Sequence, residues 1–284
     1  MRQDEKIAFI GSGVMAEAII AGLIRKGIAT PDQLLASGPR NDRGEELKNL
    51  YGIHPYTDNH QAAAIADVVV LSVKPQRLDR VIQNLKGCLR PEALVISIVA
   101  GAPIQQLSDG LGHPNIARAM PNTPAQIGEG ITVWTTSAAV TADQSALARE
   151  ILSALGDEIY VEEENYLDMA TALSGTGPAY VFLFLEAMID SGVHLGLPRR
   201  ISEKLVEQTI RGSVDFYTKS KTHPATLRNQ VTSPGGTSAA ALYYLEKAGF
   251  RSALSRAIWA AYERSQELGR GGASHVPENH PQSD

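Results

Sequence analysis

The sequence predicts an α/β domain built on a doubly wound parallel sheet and followed by an all-helical domain, and three observations support this. Up to residue 161, short apolar runs of strand length alternate with stretches of helix length, the pattern of βαβ units. The first run ends in Gly11-Ser-Gly-Val-Met-Ala16, which places G-x-G-x-x-A between a strand and a helix. From residue 163 to 268 strand signals are almost absent, and long helical stretches break at Gly192, Gly196-Leu-Pro198, His223-Pro224 and Ser233-Pro-Gly-Gly236. The expected division is therefore 1–162 for a Rossmann dinucleotide-binding domain and 163–268 for a helical domain. A polar tail, 269–284, is expected to be disordered.

Residues 6–10 form the first expected strand. Of the residues after it, Gly11 permits a tight turn, Gly13 lets backbone approach a pyrophosphate, and Ala16 lets helix and strand pack closely. Amides at the helix start then face an anion. Met15, Ile19, Gly22, Leu23 and Lys26 follow at helical spacing, and Gly27 ends that helix. Residues 33–36 read as a second strand, beyond which an NAD-type site would carry an acid. Here the chain has Ser37, Arg40, Asn41 and Arg43, groups that bond or neutralise a phosphate. This favours NADPH, with NADH a weaker cofactor; solvated helix-start charges are the alternative reading of Arg40 and Arg43.

A short helix is expected over 61–66 and a central buried strand over 67–73. The loop after it, Ser72, Val73, Lys74 and Pro75, belongs at the carboxyl end of the sheet, facing the cofactor. Lys74 suits a phosphate or ribose contact better than a catalytic acid. Residues 93–98 give the next strand, and the small residues Val99, Ala100 and Gly101 leave room for a flat nicotinamide. Strand-like runs at 115–119 and 130–135 flank a stiff turn, Met120-Pro-Asn-Thr-Pro-Ala125, whose Asn122 and Thr123 either line a pocket or merely link strands. A helix over 142–155 and an edge strand over 158–161 close the domain.

Composition narrows the function classes. Hydrophobic residues at 43% and charged residues at 20% suit a globular protein. A net charge of -5, with no basic run longer than Arg199-Arg200, argues against nucleic acid. One cysteine, Cys88, excludes an internal disulfide framework and a cysteine-rich metal site, and no metal is expected. The polar residues 1–6 lead straight into a strand without an apolar signal segment, so a cytoplasmic location is expected. Residues 178–189 are apolar but include Glu186 and fall short of the ~20 residues that span a bilayer, so a buried helix is expected and no membrane.

The helical domain is unusually apolar on its helix surfaces. Residues 179–189 are apolar nearly all round; on the next helix Ile201, Leu205 and Phe216 share one face, with Val206, Ile210, Val214 and Tyr217 opposite. A second copy of the chain is expected to cover them, giving an obligate dimer or larger assembly. Two stretches read as helix starts that either suit a carboxylate or phosphate or are ordinary capped helices, Ser174-Gly-Thr-Gly-Pro-Ala-Tyr180 and Thr232-Ser-Pro-Gly-Gly-Thr-Ser238. Lys204, Lys219, Lys221, Lys247, His194 and His223 are the domain's candidate acids, none in a convincing setting. A related imine reductase, a hydroxyacid dehydrogenase and a non-catalytic nucleotide sensor are the rival readings.

The motifs together resemble the pyrroline-5-carboxylate reductase family, from about residue 6 to 268. The resemblance rests on Gly11-Ser-Gly-Val-Met-Ala16, Ser72-Val-Lys-Pro75, Arg118-Ala-Met-Pro-Asn-Thr-Pro-Ala125, Leu173-Ser-Gly-Thr-Gly-Pro-Ala-Tyr180 and the run from His223 to Ser238. It implies reduction of the cyclic imine 1-pyrroline-5-carboxylate to L-proline by NADPH, in dimers often assembled into decamers, with a site shared between subunits. It also implies that Ile10, Gly11, Ser12, Gly13, Val14, Met15, the Ser37-Gly38 region, Asn59, Ser72 to Pro75, Ile98, Val99 and Ala100 contact the cofactor. Gly236, Thr237 and Ser238 would hold the substrate carboxylate, with Gln230, Ser233 and Gly235 shaping that loop and Glu164 nearby. The hydroxyl of Thr237 or Ser238 would bond the ring nitrogen.

Overall fold

The computed structural model describes Arg2 and residues 4–269. Of the tail expected from 269 onward, Gly269 ends a helix and the remainder lies outside the described residues. The strands are β1 Ile7–Ile10, β2 Leu34–Ser37, β3 His54–Tyr56, β4 Val68–Leu71, β5 Leu94–Ser97, β6 Ile116–Met120, β7 Gly130–Thr136 and β8 Gly156–Tyr160. Helices α1 Val14–Arg25, α2 Asn41–Tyr51, α3 Asn59–Ala64, α4 Leu78–Leu85, α5 Ile104–Leu111 and α6 Ala142–Ser153 alternate with them. The chain then runs through α7 Tyr166–Ala170, α8 Gly177–His194, α9 Arg199–Ser220, α10 Pro224–Gln230, α11 Thr237–Lys247 and α12 Phe250–Gly269.

All eight strands join one sheet in the order β3-β2-β1-β4-β5-β6-β7-β8. The first six are parallel and reverse their order between β1 and β4, which is where a doubly wound sheet binds its ligand. β7 runs antiparallel to β6, because the link from Met120 to Gly130 is too short for a crossover helix. The pleat sends alternate residues to opposite cores. Ile7, Phe9, Val68 and Val70 join one buried cluster, and Ala8, Ile10, Val69 and Leu71 the other. Burial on both faces is why these strands read as continuous apolar runs.

The chain forms two compact units, one of residues up to Thr176 together with those from Ala261, the other Gly177–Ala260. The division differs from one at 162/163. Residues 163–176 side with the sheet because Glu164 and Asp168 bond to Arg118 of β6. The end of α12 does so because Ser265 Oγ donates to Asp168 Oδ1 at 2.9 Å.

Four expectations for the helical segment are corrected. Gly192 lies inside α8 rather than ending it; Ser202 of α9 presses so close that no side chain would fit there, and its hydroxyl donates to the Ile189 carbonyl at 2.8 Å. The Ser174–Tyr180 stretch is not a free helix start. A π-helical turn, Thr171–Gly175, joins α7 to α8, and the hydroxyls of Ser174 and Thr176 donate to the carbonyls of Ala170 and Thr171. The helical run is consequently longer than 178–189: it extends over Tyr166–His194, 29 residues that by length and composition alone could cross a membrane. Nor is α8 buried within its own chain, with Phe182 62% and Leu183 67% exposed. On α9 Val206 is buried, whereas Ile201, Leu205, Val214, Phe216 and Tyr217 are exposed.

Candidate active site

Hydrogen bonds tie the loops at the carboxyl ends of β1, β2 and β4 into one cradle. The Gly11 amide donates to the Ser37 carbonyl at 2.8 Å, and Ser72 Oγ donates to the Gly11 carbonyl at 2.7 Å. Ser37 Oγ donates to Asn59 Oδ1 at 2.7 Å, joining the end of β2 to the start of α3. The Ser72 amide reaches the Ile10 carbonyl and the Ile98 amide the Leu71 carbonyl, both at 3.0 Å, so the loop of Ile98, Val99 and Ala100 continues the same edge.

The two glycines of the turn do different work. Gly11 has φ +104°, and a Cβ placed there would stand 2.8 Å from Val73 Cγ1 and 2.9 Å from the Ser72 carbonyl group. Only glycine fits. Gly13 has φ -81° and nothing within 4 Å of where a Cβ would sit, so its space is open at the start of α1. No side chain caps α1, which leaves its first-turn amides, at Val14 and Met15, for an anion. A bound dinucleotide diphosphate fits this arrangement.

A cavity of about 340 Å³ opens beside the cradle, lined by Gly11, Ser37, Gly38, Asn59 and Val73 among the expected cofactor residues. Arg77, Arg80, Val81 and Asn84 form its other wall and were not expected from the sequence. Their signal was weak, because the wall is set by how α4 packs on the sheet and not by any motif. Arg40, at the start of α2, and Lys74, before Pro75, lie outside this lining.

Arg43 is not a free phosphate ligand. Its guanidinium pairs with Glu17, with Glu46 at 2.7 Å and with the Ser12 carbonyl at 3.1 Å, fixing the glycine turn from below. Burial opposes ionisation of Glu17, but bonds from Arg43 and Tyr51 outweigh it and hold the carboxyl below the usual range. The bond to Glu46, followed by that to Glu17, raises Arg43 further.

Two other candidate residues have structural bonds. Asn122 accepts the Ile131 amide at 3.0 Å. Glu164 accepts the Ile104 amide and Arg118 Nη1, both at 2.8 Å; Arg118, 4% exposed, also reaches Asp168 at 3.0 Å. A hub thus forms where β6, α5, α7 and α12 meet, without a motif to announce it.

In the helical unit, Thr237 and Ser238 open α11, with Gly236 as its extended N-cap and Gly235 at φ +70°. The Gly236 amide donates to the Ser233 carbonyl at 3.0 Å, closing the loop, and no side chain caps the helix. The first-turn amides and two hydroxyls therefore suit a carboxylate. Of the candidate acids, His223 accepts the Ala225 amide as cap of α10, and Lys247 lies over the Tyr243 ring. Among the described residues no group of three His, Cys, Asp or Glu side chains is placed to hold a metal ion.

Comparison with known proteins decides the family. Residues 164–268 match the model described as "Pyrroline-5-carboxylate reductase dimerisation", and residues 6–101 one described as "NADP oxidoreductase coenzyme F420-dependent". The pyrroline-5-carboxylate reductase of Synechocystis sp. is 46% identical over 266 residues, 93% of this chain and 98% of the relative. The chain belongs to the pyrroline-5-carboxylate reductase family. The Pseudomonas aeruginosa reductase is 42% identical over 93% of this chain and 96% of its own. The solved Plasmodium falciparum pyrroline carboxylate reductase with NADP bound superposes with TM-score 0.87 and 35% identity, covering 95% of this chain and all of that one. Family membership thus spans both the cradle and the start of α11, as the motifs implied.

Proposed function

We propose that the protein is a pyrroline-5-carboxylate reductase, which uses NADPH to reduce the cyclic imine 1-pyrroline-5-carboxylate to L-proline, the last step of proline biosynthesis. The observation that carries this is the presence in one chain of an open glycine cradle at the sheet's switch point and an uncapped, hydroxyl-bearing helix start at Gly236. When bound, NADPH supplies a hydride. Gly11, Ser12, Gly13, Val14 and Met15 hold its diphosphate; Ser37, Gly38, Arg40 and Asn59 its adenosine end. Ser72, Val73, Lys74 and Pro75 line its middle, and Ile98, Val99 and Ala100 seat the nicotinamide.

The substrate carboxylate sits on the first-turn amides of α11, within the loop of Ser233, Gly235 and Gly236. The hydroxyl of Thr237 or Ser238 holds the proton on the ring nitrogen, and Asn122 and Glu164 border the site. A protonated imine is already electrophilic, so these residues need only orient it, a contribution that can reach about 7–11 kcal/mol. No strong protein acid is required, which agrees with a helical domain whose His223 is engaged as a cap.

Two copies form the working unit in this reading, and dimers assemble further into decamers. The exposed apolar faces of α8 and α9 support coverage by a second chain more than by lipid, because the rest of the helical unit carries charged residues such as Arg199 and Glu203. Residues 163–268 serve as the dimerisation and substrate domain, and the enzyme works in the cytoplasm without nucleic acid or membrane. One assay tests the function: NADPH oxidation with pyrroline-5-carboxylate, with 2-keto and 3-keto acids, and without substrate. Turnover confined to the imine is expected; turnover confined to a keto acid would overturn the proposal.

A further inference from the structure

We infer that Arg77 and Arg80, from the loop and helix after β4, supply the positive charge that receives the 2′-phosphate of the cofactor and set its preference over the form lacking that phosphate. The inference rests on the dinucleotide-site reading above and extends it to residues outside the β2 loop, where the sequence pattern placed this role.

Four observations converge on these two side chains. Both line the cavity that opens on Ser37, Gly38 and Asn59, so the residues at the end of β2 and the two arginines share one space. They stand three residues apart, Arg77 as the residue just before α4 and Arg80 in its first turn. Both are exposed, and neither guanidinium makes a hydrogen bond or ion pair among the described residues; the backbone amide of Arg77 donates to the Lys74 carbonyl at 2.9 Å. By contrast, Arg43 is neutralised by Glu17 and Glu46. Arg40 and Lys74 lie outside the cavity lining.

The cavity's other groups fit the same occupant. Val73 and Val81 give apolar surface for a flat base, and Asn84 a polar edge. Among the described residues Asp58 is the one acid of the lining, and it already accepts the His60 amide at 2.9 Å. A phosphate dianion beside that carboxylate needs more than one cation to be held, and two arginines provide the forked donors that match phosphate oxygens. A cofactor without the 2′-phosphate would leave both guanidinium groups in water, at little cost.

The test is calorimetric binding of adenosine 2′,5′-bisphosphate and of adenosine 5′-monophosphate to the full-length protein, which requires no turnover. Arg77→Ala, Arg80→Ala, the double variant and Arg40→Ala are compared with the wild type. The inference expects the wild type to bind the bisphosphate more tightly, and the double variant to lose about tenfold or more of that ratio. Raised salt should weaken the bisphosphate more than the monophosphate. A ratio within twofold of wild type in the double variant overturns the inference, as does a larger loss of the ratio in Arg40→Ala than in the double variant. Equal weakening of both ligands overturns it too, since the arginines would then serve the base. Failure of pyrroline-5-carboxylate turnover would refute the proposed reaction but would leave this binding result unaffected.

Discussion

Replacing Gly11 and Gly13 by alanine, one at a time, separates the folding role of the glycine turn from its binding role. At Gly11 the backbone has φ +104°, and the new methyl would meet the Ser72 carbonyl group at 2.9 Å, backbone that cannot rotate away. Unfavourable φ costs about 1–2 kcal/mol and overpacking roughly 1–3 kcal/mol more, so Gly11→Ala should lose about 2–5 kcal/mol. For a chain of this size that lowers Tm by roughly 5–20 °C. Gly13 has φ -81°, open to any residue, and its methyl meets nothing within 4 Å. Stability should hold or rise by about 0.4–1 kcal/mol. The methyl instead occupies the space assigned to the diphosphate, and losing one charge-assisted bond of about 1.5–3 kcal/mol weakens NADPH about 10- to 100-fold. Thermal unfolding at fixed protein concentration and titration of NADPH fluorescence read the two effects. An unchanged NADPH Kd in Gly13→Ala would refute the placement of the diphosphate.

Further outcomes follow from other contacts. Arg118→Met leaves Glu164 and Asp168 without their cation; because both keep some solvent access, the loss should be about 2–3 kcal/mol, below that of a fully buried pair, in denaturant unfolding. The lowered Glu17 carboxyl stabilises the fold fully above the ordinary value of 4.5, and that contribution disappears as pH falls through the folded value. Glu17→Gln should therefore flatten the fall in stability below about pH 4.5, measured by chemical unfolding at stepped pH. Ser238→Ala should lower kcat with NADPH affinity nearly intact; equal loss of both would make the residue structural. Leu183→Glu, at a position 67% exposed in the single chain, should weaken self-association in sedimentation velocity.

Local chemistry was legible in the sequence where one segment determined it. Continuous apolar runs marked β1, β4 and β5 because both faces are covered, and Gly11 and Gly13 marked the turn because the backbone there excludes or dispenses with side chains. Features made by distant segments were not legible. Arg43 and Arg77 are alike as sequence neighbours of a loop, and only the folded chain shows that Glu17 neutralises the first while the second faces a cavity. Gly192 looked like a helix stop, yet it is a close contact with Ser202. Ser174 and Thr176 looked like anion ligands, and they satisfy carbonyls at a π-helical turn instead. Helix faces that demanded burial were visible as composition; their exposure in the single chain was not.

The central claim is hydride transfer to the imine carbon of a ring whose carboxylate is held by the helix start at Gly236. Its most direct test uses NADPH deuterated at nicotinamide C4 on the transferred face, with pyrroline-5-carboxylate as substrate and mass spectrometry of the product. The account predicts L-proline carrying one deuterium at the former imine carbon. Unlabelled proline, or NADPH consumption without proline, would contradict it.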